Sequence, residues 1–347
     1  MSYTVSQLDC QSARESILDL WRRNLPETTA DRFDWLYEAG PATGFLLRSG
    51  QDEAVGAAGL MRRTFHAFGN RVEAGQAIDL NVDPGHRTVG PALALQRAVL
   101  TAVASGGIDL AYGFPNPQSE AVLRRAGYQA LGDLGRWVKP LSCRAALDRW
   151  SWPRLLSRGV AAAIDPILRL ASPETFFRRP SGIRLKRLEW FDARLDALWQ
   201  EARAASPILG ERTSAYLRWR FGRCPGVSYR VLGLLQAGGG LLGYVVYSRR
   251  GGTVHVADLL VADARHLDLL LAEFLSLVRR ENADLVVVLY LGNATVCRSL
   301  ARFGFWRRPS GRRAMVYVAT RRLGPHHAQL LDAENWHLTG ADIDTDA

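Results

Sequence analysis

One short stretch, residues 79–92, constrains the fold of this chain more than any other. Residues 76–82 are rich in apolar side chains and predict a strand, which ends at the turn-forming sequence Asp83-Pro84-Gly85. A helix rich in Ala and Leu is predicted from residue 92 to residue 104. The N–H groups in the first turn of a helix have no partners within the helix, and the helix dipole favours an anion there. The order of strand, glycine loop and helix therefore predicts a phosphate-binding loop.

The length and composition of the chain are those of a globular protein. Its 347 residues are enough for two domains, and 48% of them are hydrophobic, which is sufficient for a core. No apolar run reaches the roughly 18 residues of a membrane span, and the polar start of the sequence lacks the features of a signal peptide. We therefore expect a cytoplasmic protein. The four cysteines are scattered and predict neither a zinc site nor a disulfide framework: Cys10, Cys143, Cys224 and Cys297.

The net charge of +10 is unevenly distributed along the chain. Residues 1–140 hold 14 basic and 15 acidic side chains, residues 141–180 hold 7 and 3, and residues 181–347 hold 23 and 16. Only Lys139 and Lys186 are lysines, an arginine excess that is typical of a GC-rich bacterial genome. The basic second half is either an ordinary solvated surface or a surface for an anionic membrane or acceptor.

Two motifs resemble those of a known family. The spacing Arg87-x-x-Gly90-x-Ala92 resembles the R/Q-x-x-G-x-G/A pyrophosphate loop of the GNAT superfamily of acyl-CoA N-acyltransferases. Asn116, followed by A-V-L-R-R-A-G-Y at residues 121–128, resembles the second GNAT signature, in which an Asn follows the fifth strand and a helix ends at Gly-Phe or Gly-Tyr. Three predicted antiparallel strands precede the loop. The resemblance covers residues 3–141 and implies acetyl-CoA or a longer acyl-CoA as co-substrate.

The same order of elements begins again at residue 183. Asp258 in V-A-D-L-L-V parallels Asp79 in A-I-D-L-N-V, and the stretch from Asn293 to Gly304-Phe305 parallels the stretch from Asn116 to Gly127-Tyr128. The chain thus resembles a tandem GNAT protein of α/β (α+β) class, with a mixed, mostly antiparallel sheet flanked by helices in each domain. The predicted segments are a CoA-binding domain at 1–141, a basic amphipathic helical linker at 142–180, a degenerate GNAT domain at 181–320 and a C-terminal tail at 321–347.

The second copy lacks the phosphate-binding loop. Residues 261–268 hold no glycine and include two aspartates, which would repel a pyrophosphate. We expect this copy not to bind CoA and to shape the acceptor site instead, because ligand sites favour domain interfaces. Asp258 and Trp219 are the residues predicted to bind the acceptor.

The linker and the tail allow more than one interpretation. Trp150 and Trp152 begin a segment whose apolar residues share one helical face, so it is either an interdomain helical hairpin or a basic amphipathic element that rests on a membrane. The second alternative predicts peripheral contact with the inner membrane. The tail contains His326, His327 and His337 among acidic residues without metal-ligand spacing, so we expect no metal and an acidic tail that folds back on the basic second half.

The resemblance also implies which residues hold acyl-CoA. By this resemblance, the loop binds the pyrophosphate and the strand before it contacts the pantetheine arm. The asparagine of the second motif forms a hydrogen bond with the pantetheine amide. The cofactor-binding residues predicted in this way are Leu80, Val82, Arg87, Thr88, Val89, Gly90, Ala92 and Asn116.

The predicted general base is Asp79. Its carboxylate lies on an apolar strand three residues before the loop, where shielding from water raises the pKa of a carboxylate. A purely structural role for Asp79 stays open, as do His86 and Glu73 as bases. Many GNAT enzymes protonate the leaving thiolate with a tyrosine, for which this chain has Leu123. We predict Tyr112 in its place; Tyr128 and departure of the thiolate without protonation are the alternatives.

These observations favour an acyl-CoA-dependent N-acyltransferase. The acceptor is predicted to be a primary amine on a surface glycan or on a sphingoid-type membrane lipid, the latter because the layout resembles GNAT-like bacterial ceramide synthases. Two other classes remain: an aminoacyl transferase like the FemX group, which uses aminoacyl-tRNA, and a non-catalytic CoA-binding module. No nucleic-acid-binding motif accompanies the arginines, so we expect no nucleic acid partner.

Overall fold

A computed structural model describes residues 2–8, 10–143, 164–167, 169–170 and 172–344. The chain divides into two compact units. The first unit comprises Met1–Asp133, Arg223–Gly226 and Gly311–Ala333, and the second comprises Leu134–Gly222, Val227–Ser310 and Glu334–Ala347. The domain boundaries expected from the sequence repeat stay a prediction.

Fourteen strands are found in the described residues. In chain order they are β1 (Tyr3–Gln7), β2 (Ala42–Ser49), β3 (Ala54–Ala67), β4 (Asn70–Val82), β5 (Leu110–Gly113), β6 (Gln129–Pro140), β7 (Ile183–Leu188), β8 (Ile208–Gly210), β9 (Tyr229–Gln236), β10 (Leu241–Arg250), β11 (Thr253–Val261), β12 (Leu285–Gly292), β13 (Trp306–Val318) and β14 (Trp336–Leu338).

The α-helices alternate with these strands. They are α1 (Cys10–Asn24), α2 (Ala30–Phe33), α3 (Val89–Ser105), α4 (Pro117–Ala126), α5 (Pro173–Phe176), α6 (Ala193–Ala205), α7 (Ser214–Leu217), α8 (Leu267–Arg280), α9 (Ala294–Arg302) and α10 (His327–Leu330). No helix in the described part of the chain is long and apolar enough to cross a membrane.

The sheet of the first unit has the order β1-β2-β3-β4-β5-β13. All neighbours in it are antiparallel except β4 and β5, which are parallel. Helix α3 packs on one face of this sheet because Leu95, Val99 and Val103 recur at helical spacing, and all three are completely buried. The antiparallel strands, the loop and the helix that were predicted around residue 85 are therefore present.

Strand β4 contains an irregularity that the sequence did not indicate. Its pairing with β3 shifts register between Ala57 and Gly59, and Asp79 lies in the left-handed region with φ of 53°. A β-bulge of this kind bends a strand. Pairing with β5 ends at Ala77, so β4 and β5 are separate where β4 approaches the loop.

The sheet of the second unit has the order β6-β12-β11-β10-β9-β7, with β14 paired to β12 and β8. It repeats the plan of the first, since β11 and β12 form the parallel pair. Each unit also completes its sheet with a strand from the other half of the sequence: β6 pairs with β12 in the second unit, and β13 pairs with β5 in the first. The sequence predicts two contiguous repeats, and it does not predict that β6 and β13 are exchanged between the two units.

Most of the predicted linker lies outside the described residues, namely 144–163, 168 and 171, and these include Trp150 and Trp152. In the described part of the linker, Glu174 belongs to a buried cluster of charged side chains. Lys139 donates to a Glu174 carboxylate oxygen at 3.1 Å, and Arg279 donates to the other oxygen at 2.8 Å. This cluster fixes α5 in the second unit, while Ile167, Leu170 and Phe176 are exposed.

The second unit is expected to lose stability below about pH 6.5. Burial lowers the pKa of His255, His266 and His337, so these side chains stay neutral in the folded chain under conditions where the unfolded chain binds protons. The stabilisation is complete above the unfolded value of 6.5 and declines as the pH falls towards the lower folded values. The melting temperature, measured by thermal unfolding from pH 7.5 to 5.5, should fall as the pH falls. His337→Asn should make the melting temperature less dependent on pH. A melting temperature that rises on acidification would contradict the prediction.

Candidate functional site

A cavity of about 500 Å³ lies in the first unit where β4 separates from β5. This volume is within the range of small-molecule sites. Seven of the eight predicted cofactor-binding residues line it, and the eighth, Gly90, lies beside it in the first turn of α3. The lining residues are Asn24, Leu25, Leu80, Asn81, Val82, Arg87, Thr88, Val89, Ala92, Asn116, Gln118, Ser119 and Val122.

The N-terminus of α3 borders this cavity without a side-chain cap. Thr88 is the N-cap residue, its hydroxyl makes no capping bond, and its own N–H donates to the His86 carbonyl at 2.7 Å. Helix geometry leaves the N–H groups of Val89 and Gly90 without intrahelical partners. Pro91 is the third residue of the helix, where the missing N–H costs no helical bond. The loop therefore offers two backbone donors to an anion.

Arg87 adds a positive charge to the same end of the cavity. Its Nε donates to the Val82 carbonyl at 2.8 Å, and its Nη2 donates to Asn24 Oδ1 at 3.0 Å. The Asn24 amide in turn donates to Asp83 at 2.8 Å. The guanidinium is thus oriented by the loop while the side chain stays exposed. Asn24 was missed by sequence reasoning, because it ends α1 and carries no local signal.

Asn116 lies at the opposite wall of the cavity as the N-cap of α4. Its Oδ1 accepts a hydrogen bond from the Ser119 N–H at 2.9 Å. The carboxamide oxygen is therefore used by the helix, and the NH₂ group is the part that can donate to a ligand. Leu80 and Val82 supply the β4 wall.

Asp79 does not line the cavity. Its side chain is 7% exposed, with Arg32 Nη2 at 3.0 Å from Oδ1 and the Tyr37 hydroxyl donating to Oδ2 at 2.8 Å. The Asn81 amide donates to the Asp79 carbonyl at 2.8 Å. These contacts hold Asp79 in its left-handed conformation. Asp79 therefore stabilises the bulge of β4, and this structural role is independent of the predicted role as a base. Arg32, Tyr37 and Asn81 were not identified from the sequence.

The tyrosines considered as thiolate acids are both buried. The Tyr112 hydroxyl donates to Gln76 Oε1 at 3.2 Å, and its ring packs between Phe65 and Phe114. Burial raises the pKa of Tyr128 well above its usual value, which makes its hydroxyl a weaker acid. Leu123 is part of the core. Among the described residues, no tyrosine lines the cavity.

The sequence of this unit matches a family model. Residues 10–131 match the model described as an acetyltransferase (GNAT) domain. The chain carries a GNAT domain. The matched residues contain α3, its loop and the 500 Å³ cavity, so the family assignment and the geometry concern the same part of the chain. The predictions of a GNAT domain and of an acyltransferase are confirmed.

Solved structures of the GNAT fold resemble nearly the whole chain. A probable N-acyltransferase from Enterococcus faecalis is 13% identical, with a TM-score of 0.67, over 92% of this chain and 73% of that protein. The N-myristoyltransferase of Saccharomyces cerevisiae with bound myristoyl-CoA is 14% identical, with a TM-score of 0.56, over 91% and 82%. A tandem GNAT protein from the clavulanic acid biosynthesis pathway is 18% identical, with a TM-score of 0.54, over 92% and 99%.

These likenesses concern the fold, and they confirm the predicted tandem GNAT architecture. No curated protein matches the sequence.

In the second GNAT repeat, the two residues predicted to bind the acceptor differ in accessibility. Asp258 is completely buried, and its carboxylate accepts hydrogen bonds from Arg212 Nε at 2.9 Å, the Tyr244 hydroxyl at 2.6 Å and the Thr339 hydroxyl at 2.7 Å. This enclosure favours a structural role for Asp258. Trp219 is partly buried in the turn of helix after α7, with its ring 5.8 Å from that of Tyr216.

Proposed function

We propose that the chain is an acyl-CoA-dependent N-acyltransferase that transfers an acyl group to a primary amine. One observation carries the proposal: a 500 Å³ cavity in the GNAT domain ends at an uncapped helix N-terminus beside an exposed arginine. Oriented N–H groups and a guanidinium are the donors that phosphate oxygens require. The cavity is large enough for the pantetheine arm between its two walls.

The residues fit acyl-CoA in the following way. Arg87 and the N–H groups of Val89 and Gly90 would bind the pyrophosphate, while the Asn116 amide would donate to the pantetheine arm along β4. Bound acyl-CoA supplies a thioester-activated acyl group. In acyl transfer the amine nitrogen bonds to the acyl carbon, the C–S bond of the thioester breaks and CoA leaves as a thiolate, while the amine loses a proton. Asp79 directly precedes the cavity residue Leu80 on β4, and we assign the proton to its carboxylate even though Arg32 and Tyr37 bind the two oxygens.

For the acceptor, we propose a primary amine on a sphingoid-type membrane lipid or a surface glycan. The excess of basic residues after residue 141 supports an anionic or membrane-borne acceptor. A long-chain donor is supported by the likeness in fold to a protein that binds myristoyl-CoA. Peripheral contact with an anionic membrane belongs to the same proposal.

Mass spectrometry of CoA species that co-purify with the protein tests the donor. We expect one acyl-CoA per chain, and the mass of its acyl group identifies the chain length. A long-chain species supports a lipid acceptor, and acetyl-CoA supports a glycan acceptor. If no CoA species binds to the purified protein, even at millimolar concentration, the proposal fails.

A pair of substitutions tests whether Asp79 is the base or only the anchor of the bulge. Asp79→Asn and Arg32→Gln break the same ion pair from opposite sides. If Asp79 accepts the proton, Asp79→Asn should lower kcat by about 100-fold or more, whereas Arg32→Gln should lower it by less than about tenfold. The dissociation constant for acyl-CoA should stay unchanged in both. Equal losses of kcat would assign the effect to the ion pair and remove Asp79 as the base.

The competing functions predict different ligands. An aminoacyl-tRNA donor has no need of a pyrophosphate-binding loop, so the cavity favours acyl-CoA over the FemX-like alternative. A non-catalytic CoA-binding module is consistent with the absence of tyrosine from the described cavity lining. Binding of acyl-CoA without transfer to any of a panel of lipid and sugar amines would support that module.

A further inference from the structure

The second unit contains a cleft that corresponds to the acyl-CoA cavity of the first. In the described residues, β11 and β12 pair from Thr253 to Val256 and then separate, as β4 and β5 separate after Ala77. Asn293 caps α9 at the position where Asn116 caps α4. In the second unit, however, an extended segment of the chain lies in this place. Strand β14 pairs antiparallel with the end of β12 and parallel with β8.

Backbone contacts hold β14 in the cleft. The Asn293 N–H donates to the Trp336 carbonyl at 3.1 Å, and His337 Nε2 donates to the Leu259 carbonyl at 2.9 Å. Gly292 has φ of 146°, and a Cβ at this residue would overlap the Trp336 carbonyl oxygen. Only glycine therefore permits the approach of β14 to this end of β12.

The residues after β14 are fixed by side chains of the same unit, of which Arg212 and Arg220 are buried and Tyr216 is partly buried. Arg212 donates to the Asp342 carboxylate at 3.0 Å through Nη1, and the Tyr216 hydroxyl donates to the Ala341 carbonyl at 2.6 Å. Arg220 donates to the carbonyls of Gly340 and Ile343 at 3.0 and 2.9 Å. The cleft thus binds the segment in two ways: it pairs with the backbone of the short strand β14, and it binds carbonyls and one carboxylate of the 3-10 turn at Gly340–Asp342.

Little space remains beside this segment. The residual cavity of about 100 Å³ is bordered by Leu259, Val261 and Asn293 on one side and by residues 334–337 on the other. The corresponding cavity of the first unit is about 500 Å³. A pantetheine arm therefore does not fit the second cleft while the C-terminal segment is bound.

We propose that the second GNAT cleft is a peptide-binding site whose ligand is the chain's own C-terminal segment, residues 334–344. The segment occupies the place that corresponds to the acyl-CoA site of the first unit, and it leaves the chain with a single acyl-CoA site. The equivalence of this place to an acyl-CoA site rests on the proposed function. The binding of a peptide by the cleft does not.

Cleavage of the folded, full-length protein tests the proposal. A recognition sequence for a site-specific protease is inserted after Asp332, which is exposed and outside the helices and strands. After cleavage, native mass spectrometry should show the fragment from Ala333 onwards still bound in a 1:1 complex. An excess of a fluorescent synthetic peptide of residues 333–347 should replace it. Release of the fragment with an unchanged melting temperature, aggregation of the cleaved protein, or failure of the peptide to exchange would overturn the proposal.

Two substitutions sharpen the result. Asp342→Asn removes the carboxylate that Arg212 binds and should weaken retention of the fragment by about 100-fold or more. Glu201→Gln removes the same charge from an exposed position on α6 and should leave retention unchanged. Equal retention in the two variants would argue against recognition of the segment.

Titration of the uncleaved protein with acyl-CoA separates this inference from the proposed function. One bound acyl-CoA agrees with both. No bound acyl-CoA contradicts the proposed function but leaves the peptide result unaffected, and two bound molecules contradict the closed second cleft.

Discussion

Replacing Gly90 with glutamate is expected to weaken acyl-CoA binding by about 100-fold without lowering the melting temperature. A Cβ at residue 90 would meet no atom within 4 Å, so the protein can accommodate a side chain there. The carboxylate would lie at the N-terminus of α3 and compete with the pyrophosphate for the N–H groups of Val89 and Gly90. Each hydrogen bond to a charged group contributes about 1.5–3 kcal/mol, and two such bonds correspond to about 100-fold or more in affinity.

Two further variants control this experiment. Gly324→Glu makes the same change at another glycine with open surroundings in the first unit, but this residue does not line the cavity, so binding should be unchanged. Gly90→Ala adds a methyl group without charge and should change affinity by less than about threefold. Isothermal titration calorimetry with acyl-CoA measures all three. Unchanged affinity in Gly90→Glu would place the pyrophosphate elsewhere.

Most of the predicted cofactor-binding residues line the 500 Å³ cavity, because they come from two short motifs that local sequence signals identify. The strand, the loop and the N-terminus of α3 are contiguous, and Asn116 is identified by the helix that it caps. The predicted helix at 92–104 is observed as Val89–Ser105, since a proline in the first turn does not delay its start.

Contacts between distant residues account for what the sequence did not indicate. Asp79 lies 47 residues after its ion-pair partner Arg32, and no periodicity links the two. The left-handed conformation of Asp79 depends on the register of β3, which a single strand does not encode. Asp258 occupies the equivalent position in the sequence repeat, yet it is enclosed by Arg212 and by a residue of the C-terminal segment. Equivalence in sequence therefore predicted the strand position and not the surroundings of the carboxylate.

Replacing Arg212 with methionine is expected to destabilise the second unit by about 3–5 kcal/mol. Arg212, Asp258 and Asp342 are all 0% exposed. Although burial opposes a charge, the carboxylates of Asp258 and Asp342 hold the pKa of Arg212 well above its usual value. Without the guanidinium, two buried carboxylates lose their cation, and an uncompensated buried charge is strongly unfavourable. Differential scanning calorimetry should show a lower melting temperature, with faster hydrogen exchange in β14.

An exposed ion pair provides a matched control for Arg212. Arg265 Nε lies 2.9 Å from an Asp263 oxygen, the same distance as that between Arg212 Nε and Asp258, but both side chains are exposed to solvent. Arg265→Met should therefore change stability by less than about 1 kcal/mol. In the triple variant Arg212→Met, Asp258→Asn, Asp342→Asn, no charge remains buried in this cluster, so part of the lost stability should return. A triple variant that is less stable than Arg212→Met would show that the carboxylates stabilise the C-terminal segment independently of Arg212.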